Sequence, residues 1–364
     1  MKITIIAGAR PNFMKIAPLI KSIKKRQQEG FPITFRLVHT GQHYDKNLSD
    51  TFFEELNIPF PDTNLDVKSG SQAEQTGKIM IAFEKELLEN PCDLVIVVGD
   101  VNSTMACSIV AKKEGCKVAH IEAGIRSGDL AMPEEINRIV TDSLTDYYFT
   151  TSHYANQNLK RSGIDNEKIF FVGNIMIDTL RAHEANLKQP PIWEKAKLKN
   201  DNYFVITMHR PRNVNSKEKL TIIISKIASL IYPLPLIFPV HPRTFKMLDK
   251  ELSEIENLYL IDPLGYLSFN FLVKYAKGII TDSGGITEEA TVLNVPCITL
   301  RENTERPETC EIGTNVLVGT DLEKITKEID NIQNNKRKKG QIPILWDGKT
   351  ADRITASLIE IFKL

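Results

Sequence analysis

Short apolar runs recur along this chain, each followed by a polar turn and then a stretch with helical spacing. Residues 3–7 (ITIIA) form the first such run, and Met14, Ile16, Leu19, Ile20 and Ile23 mark the apolar face of the helix after it. Further strands are expected at 35–39, 94–98, 118–121, 147–150 and 169–172, next to helical segments such as 104–113 and 134–144. Residues 182–202 interrupt the pattern with a charged stretch containing Pro190-Pro191, the best candidate for a boundary region. The rhythm restarts with strands expected at 204–207, 236–240, 258–261, 279–281, 298–300 and 316–318, and residues 351–362 read as a last helix. Continuous apolar strands alternating with helices predict an α/β protein whose parallel sheets are covered on both faces. A chain of 364 residues exceeds the size at which one core keeps growing, so two doubly wound domains are expected. Facing each other, they would place a cleft between the carboxyl ends of their strands, where such sheets bind ligands.

Charge narrows the class. The 46 basic and 46 acidic residues leave no net charge, which argues against nucleic-acid and membrane-surface partners. The five cysteines (Cys92, Cys107, Cys116, Cys297 and Cys310) show neither close pairing nor metal-ligand spacing. The opening strand has no leader-like pattern, and no apolar run is long enough to span a bilayer, so a cytoplasmic protein is expected.

Polar residues gather where strands stop. Arg10 follows the first strand, with Lys15 five residues on; the next ends at His39-Thr40-Gly41-Gln42-His43. The third runs into Gly99-Asp100 and the fourth into His120, Glu122 and Gly124, while Glu134 and Glu135 follow Pro133 at a helix start. In the second half, Met208 leads to His209-Arg210, Val240 to His241, and Ile280 to the run TDSGGITEEA. Each has a plain structural alternative: a solvated loop cation for Arg10, a helix cap for Asp100, and favourable placement at a helix start for Glu134 and Glu135. Their convergence points to function, because two acids at neighbouring strand ends are costly together unless cations or a substrate proton offset them. Such arrangements serve general acid–base chemistry.

The run at Ser283-Gly284-Gly285 complements those acids. Its glycines are expected to permit close backbone approach and angles closed to other residues, and the following helix start offers unpaired N–H groups to an anion. Glu289, six residues beyond Ser283, would reach ribose hydroxyls. No G-x-G-x-x-G follows the first strand, and no P-loop, catalytic-metal spacing or serine-nucleophile elbow occurs. Arg10, His209 and the amides of residues 283–285 would hold a diphosphate without a metal.

The ordered set GARPNFMKIAPL, HTGQHYD, GDVNSTMA, HIEAGIRSGD, MPEEINR, MHRPRNV, VHPRT, PLGYLSF, TDSGGITEEA and LRENTERPET resembles the non-hydrolysing UDP-N-acetylglucosamine 2-epimerases over nearly the whole chain. The resemblance implies a glycosyltransferase-B type fold of two facing Rossmann-like domains, with the active site in the interdomain cleft and closure around the substrate. Residues 1–174 would carry the catalytic acids and residues 175–350 would bind UDP, with the helix of 351–364 packing back on the first domain. Asp100, Glu122 and Glu134 match the family's catalytic acids, and His209 would stabilise the departing UDP. Arg10, Lys15, Ser283, Gly284 and Gly285 would serve the sugar diphosphate, Phe269 the uracil and Glu289 the ribose. Gln42, His43, Gln72, Arg210 and His241 match a second, activating UDP-GlcNAc site found in some bacterial members. The resemblance further implies no cofactor, a homodimer, a role in cell-surface polysaccharide synthesis, and elimination and re-addition of UDP through a 2-acetamidoglucal.

Some positions depart from the commoner pattern. Ala9 stands where Thr is usual, Asn12 for Glu, Thr287 for Gln, and Arg212 for an acid. The loop before MPEEINR is two residues shorter than in some members, a form shared with epimerases of UDP-2,3-diacetamido-2,3-dideoxyuronic acids. The run ERPET is closer to the UDP-GlcNAc enzymes, which favours UDP-GlcNAc. A uronic-acid epimerase, a hydrolysing epimerase releasing ManNAc, a glycosyltransferase and a silent UDP-sugar sensor are the alternatives.

Overall fold

A computed structural model of the chain describes residues 1–41, 58–68, 70–240 and 242–364. It divides into two compact units, Met1–Ala182 with Ile344–Leu364, and His183–Pro343. The first is built on a seven-stranded parallel sheet: β1 (Lys2–Ala7), β2 (Thr34–His39), β3 (Thr63–Asn64), β4 (Leu94–Val98), β5 (Lys117–Ile121), β6 (Tyr147–Thr150) and β7 (Ile169–Phe171). Their order is β3-β2-β1-β4-β5-β6-β7, so the chain leaves the sheet centre at β1, builds one edge, and returns beside β1 at β4. The two-residue edge strand β3 is too short to register as a run in the sequence. Helices α1 (Arg10–Gln28), α2 (Gln72–Glu89), α3 (Asn102–Lys113), α4 (Pro133–Leu144), α5 (His153–Arg161) and α6 (Ile175–His183) cover the sheet. On one face Ile79 and Phe83 of α2 and Val110 of α3 pack on Ile6, Val95 and Val97. Burying each such side chain stabilises the unit by about 1.5–3 kcal/mol.

The second unit repeats the plan with β8 (Phe204–Thr207), β9 (Leu236–Pro239), β10 (Leu258–Ile261), β11 (Gly278–Thr281), β12 (Cys297–Thr299) and β13 (Asn315–Leu317), ordered β10-β9-β8-β11-β12-β13. Its main helices are α7 (Lys217–Ile231), α8 (Tyr266–Tyr275), α9 (Gly284–Val292) and α10 (Leu322–Gln333). Ile223, Ile224 and Ile227 of α7 and Ile325 and Ile329 of α10 pack with Ile206 and Ile280 on one face. Leu272, Val273 and Ala290 pack with Val205 and Ile279 on the other. Two apolar faces explain why these strands read as unbroken apolar runs.

The last helix, α11 (Thr350–Phe362), belongs to the first unit. Ser22 of α1 donates to Asp352 at 2.7 Å, and Asp178 of α6 accepts from the backbone N–H of Thr350 and Ala351 at 3.0 and 2.7 Å. These bonds also place α6 in the first unit, so the division falls at Ala182/His183 rather than between residues 174 and 175. No helix among the described residues is long and apolar enough to cross a membrane.

Candidate functional site

Both sheets have a topological switch point, where strand order reverses and ligands of doubly wound sheets bind. In the first unit it lies at the carboxyl ends of β1 and β4, in the second at those of β8 and β11. The residues that follow those four strands are Gly8-Ala9-Arg10, Gly99-Asp100, Met208-His209 and Asp282-Ser283-Gly284, the same segments that carry most of the candidate chemistry.

In the first unit, Arg10 is the first residue of α1. Asn12 organises this turn: its side-chain oxygen accepts from the N–H of Gly8 and Ala9 at 3.1 and 2.9 Å, and its amide donates to Val98 O at 2.9 Å. Asn in place of the commoner Glu therefore ties the end of β1 to the end of β4. Glu122 follows β5 in a left-handed conformation, φ 71°, which is strained for a non-glycine residue and concentrates at functional sites. Its carboxylate is 3% exposed and meets Lys15 Nζ of α1 at 2.5 Å. The second oxygen, Oε1, is buried without a hydrogen-bond partner. A Cβ on Gly99 would lie 3.2 Å from Lys15 Nζ and 3.6 Å from Glu122 Oε2, so the Lys15–Glu122 pair sits against the residue preceding Asp100. Lys15, expected at the sugar diphosphate, is thus the counter-ion of a candidate acid.

Asp100 is about a third exposed and meets Arg138 Nη1 at 2.5 Å. Arg138 is itself buried and gripped by Glu135 at 2.7 Å. Glu135 also accepts from the N–H of Ser127 and Gly128, so it holds the loop before α4, while the half-buried Glu134 lies beside it in the helix's first turn. Burial raises the Glu135 carboxyl, but the Ser127 and Gly128 amides and Arg138 outweigh it and hold it below its usual range. Gln72, at the start of α2, accepts from Asn102 at 2.7 Å, and Asn137 bridges Asn102 to the carbonyl of Asp100. His120 is fully buried, with Nδ1 2.7 Å from Asp142 and Nε2 2.9 Å from the carbonyl of Gly99. Burial would raise the Asp142 carboxyl; His120 and Arg126 reverse that and keep it low. His120 and Asp142 therefore brace the Gly99-Asp100 corner.

In the second unit, Asp282 is the organising acid. It is fully buried and accepts from the N–H of His209 and Arg210 and from Asn213 Nδ2 at 3.0–3.1 Å. His209 Nδ1 lies 2.8 Å from it, which assigns that nitrogen a proton and leaves Nε2 of the half-exposed ring available for a ligand. Burial pushes the Asp282 carboxyl up, yet His209, the Arg210 amide and Asn213 together hold it below its ordinary value. Arg210, expected at a second nucleotide site, also extends to within 3.8 Å of Glu305. Gln42, His43 and His241 lie outside the described residues.

Ser283 is the N-cap of α9 and makes no side-chain cap bond, so its hydroxyl is not used by the helix. Neither following glycine is left-handed, contrary to the expectation that they supply special backbone angles. Only at Gly284 is space short. A Cβ on Gly284 would lie 2.9 Å from Arg306 Nη1 and from Glu305 Oε1, whereas one on Gly285 would meet nothing within 4 Å. Thr287 donates to Gly284 O at 2.6 Å and closes the turn locally, a bond open to its hydroxyl whatever the commoner residue does. Glu289, two residues further on, is buried beside Asn270 of α8, which donates to it at 3.4 Å. Burial pushes its carboxyl up to about 7 against the pull of Tyr266 and Asn270, and the charge of Glu288 adds to the rise. Phe269 lies on the same α8, half-buried against the core on that face.

Asp282, Asn213, His120 and Asp142 were not singled out from sequence for roles. Asp282 lies inside the quoted TDSGG run, but an Asp after a strand reads equally as a helix cap, and only the fold brings His209 to it.

A family model described as UDP-N-acetylglucosamine 2-epimerase matches residues 24–359. The UDP-N-acetylglucosamine 2-epimerase of Methanocaldococcus jannaschii is 44% identical over 98% of this chain and 99% of its own length. A solved structure of the epimerase from that organism, in complex with UDP-GlcNAc and UDP, superposes with a TM-score of 0.89 at 43% identity, covering 99% of this chain and all of the other. The UDP-2,3-diacetamido-2,3-dideoxy-D-glucuronate 2-epimerase of Pseudomonas aeruginosa is 37% identical over 90% of this chain and 91% of its own.

Proposed function

Because the chain belongs to the UDP-N-acetylglucosamine 2-epimerase family, we propose that it interconverts UDP-N-acetylglucosamine and UDP-N-acetylmannosamine by eliminating and re-adding UDP. The observation that carries this reading is the pairing of chemistries at the two switch points. One sheet end gathers carboxylates backed by cations, Glu122 on Lys15 and Asp100 on Arg138; the other presents a histidine and the Ser-Gly-Gly turn that opens α9 with its cap hydroxyl unused.

The proposed reaction runs in balanced steps. A carboxylate among Asp100, Glu122 and Glu134 takes the proton from carbon 2 as the bond from carbon 1 to the UDP oxygen breaks, leaving 2-acetamidoglucal and UDP. A proton is then delivered to the opposite face of carbon 2, and UDP adds back at carbon 1. Charge developing on the departing diphosphate is stabilised by the His209 imidazolium, with Nδ1–H on Asp282 and Nε2–H toward the diphosphate, by the amides of Gly284 and Gly285, by the Ser283 hydroxyl and by Arg10. Phe269 lines the uracil position, and Glu289 accepts from the ribose hydroxyls. No redox cofactor enters, because one proton leaves and one returns, UDP is released and re-added, and the sugar's oxidation state is unchanged from substrate to product. Residues Gln42, His43, Gln72, Arg210 and His241 form the proposed second, activating UDP-GlcNAc site.

A second substrate has support in the 37% identity to the uronic-acid epimerase and in the short loop ending at Met132. Incubation with each sugar nucleotide and chromatography of the products separates the readings. UDP-ManNAc from UDP-GlcNAc, with all sugar remaining UDP-linked, is the expected outcome. Turnover of the diacetamido uronate alone would move the substrate assignment, and free ManNAc with UDP would make the enzyme hydrolysing.

Glu289 supplies a pH prediction. Ribose hydroxyls favour a carboxylate acceptor, so UDP binding near neutral pH should release a proton from Glu289, whose carboxyl titrates at about 7 in the free protein. Calorimetry at pH 6.5 in buffers of different ionisation enthalpy should detect that release and lose it in E289Q. The same raised value means that the Glu289 contribution to stability is fully present below the unfolded carboxyl's value of about 4.3 and is lost as pH rises through 7. Equal proton release from the wild-type protein and E289Q would contradict the assignment.

A further inference from the structure

The ring of His120, in β5, is wholly buried, and both of its nitrogens face acceptors. Nδ1 lies 2.7 Å from Asp142 Oδ1, and Nε2 lies 2.9 Å from the carbonyl oxygen of Gly99. A carbonyl can only accept, so Nε2 carries a hydrogen. His120 and Arg126 keep the Asp142 carboxyl ionised, so Nδ1 carries one too. A neutral ring would set a lone pair against one of those two oxygens, whichever nitrogen gave up its hydrogen. Oδ2 of Asp142 accepts from the N–H of Gly124 at 3.0 Å and from Arg126 Nη1 at 2.6 Å, both in the segment after Glu122. Gly99 in turn donates its N–H to the carbonyl of Ile121 at 3.0 Å. One ring and one carboxylate thus tie the residue before Asp100 to the segment that carries Glu122. Gly99 and Glu122 are both left-handed, with φ 72° and 71°, so regular strand geometry alone holds neither corner. Asp142 lies on α4, about two turns beyond Glu134 and about one turn beyond Arg138, the partner of Asp100.

We propose that His120, in its two-proton form, is a positioning residue for proton transfer: its N–H groups on Gly99 and Asp142 fix the separation of the backbones that carry Asp100 and Glu122. This rests on the reading that those acids move the proton of carbon 2. Removing a proton from one face and delivering one to the other needs groups held at a set separation, because a misplacement of about 1 Å costs on the order of a hundredfold in rate. The two-proton ring meets that need, since it is the form that donates to both anchors at once.

The test reads the ring and the rate separately, on the full chain. In wild-type protein carrying isotope-labelled histidine, nitrogen NMR at neutral pH should show both nitrogens of one buried ring protonated, with signals that H120Q removes. Asn and Gln each restore one of the two donors: an Asn amide stands where Nδ1 was, and a Gln amide where Nε2 was. H120N therefore loses the bond to Gly99 and should lower kcat about 10- to 100-fold, with KM and UDP affinity unchanged. H120Q keeps that bond, loses the one to Asp142, and should retain the larger part of the rate. A merely structural role would lower stability in both variants without separating their kcat values, and UDP calorimetry reports how much of each is folded. The ring is read in the unaltered protein, so a variant that fails to fold leaves that measurement standing. A neutral His120 ring, unchanged kcat in H120N, or equal kcat losses in the two variants would overturn the proposal. Absence of turnover in a wild-type protein that binds UDP-GlcNAc would instead overturn the epimerase reading, and this inference with it.

Discussion

Replacing Glu122 by Gln should lower kcat about a thousandfold, the scale on which a positioned general acid or base contributes, with UDP affinity unchanged. Glu122 is buried, ion-paired to Lys15, and held in a left-handed backbone conformation that costs about 1–3 kcal/mol. Strain of that kind persists when the surrounding structure fixes the group, and here β5, Gly99 and Lys15 do so. The variant has a competing effect, because a thousandfold in rate is about 4 kcal/mol, the same size as the penalty for leaving a buried Lys15 without its counter-ion. The double variant K15M/E122Q separates the two. It removes the orphaned charge, so stability should return while turnover stays low. Recovery of activity in the double variant would show that Glu122 serves only to satisfy Lys15.

Asp282→Asn should produce the second large effect, on stability and nucleotide binding together. The carboxylate is the common acceptor for the His209 and Arg210 amides, Asn213 and His209 Nδ1. An amide keeps one acceptor oxygen and turns an NH2 group toward those donors, so buried N–H groups lose their partners. A loss of about 3–5 kcal/mol in unfolding free energy is expected, and UDP affinity should fall because His209 is no longer oriented. The pH dependence has a definite sign. The folded-state value of Asp282 is depressed, so its contribution is present above the unfolded carboxyl's value of about 3.9 and is lost as pH falls through the lower folded value. The stability gap between wild-type protein and D282N should therefore be steady from pH 5 to 8 and shrink in more acidic solution. This is opposite in sense to the Glu289 contribution, which fades as pH rises. A gap that persists undiminished at pH 2.5 would contradict the assigned role of Asp282.

Which parts of this arrangement are legible in the sequence follows from the range of the interactions involved. The strands are legible because both sheets are buried on two faces, and runs such as LVIVV at β4 announce themselves by apolar continuity. The candidate residues are legible as polar groups at strand ends, and the strand order brings their segments to the two switch points. The pairings among them are not. Lys15 and Glu122 are 107 residues apart, and nothing in either segment announces that the lysine serves the acid rather than a phosphate. Asp282 and His209 meet across 73 residues, and His120 reads as one more polar residue at a strand end until Asp142 is seen beside it. The glycines at 284 and 285 were expected for their backbone freedom, whereas the packing of Arg306 from a distant segment explains the first of them. The start of the second unit was expected eight residues early because α6 has no local feature revealing that Asp178 caps α11, more than 170 residues away.

The most direct test of the account is proton exchange at carbon 2. The protein should be incubated with UDP-GlcNAc in deuterated water and the sugar nucleotides followed by proton NMR. Elimination and re-addition through carboxylate proton transfer predicts deuterium at carbon 2 in both UDP-GlcNAc and UDP-ManNAc, with exchange abolished in E122Q. Epimerisation that leaves carbon 2 fully protonated, or no exchange in a protein that binds UDP-GlcNAc, would contradict it.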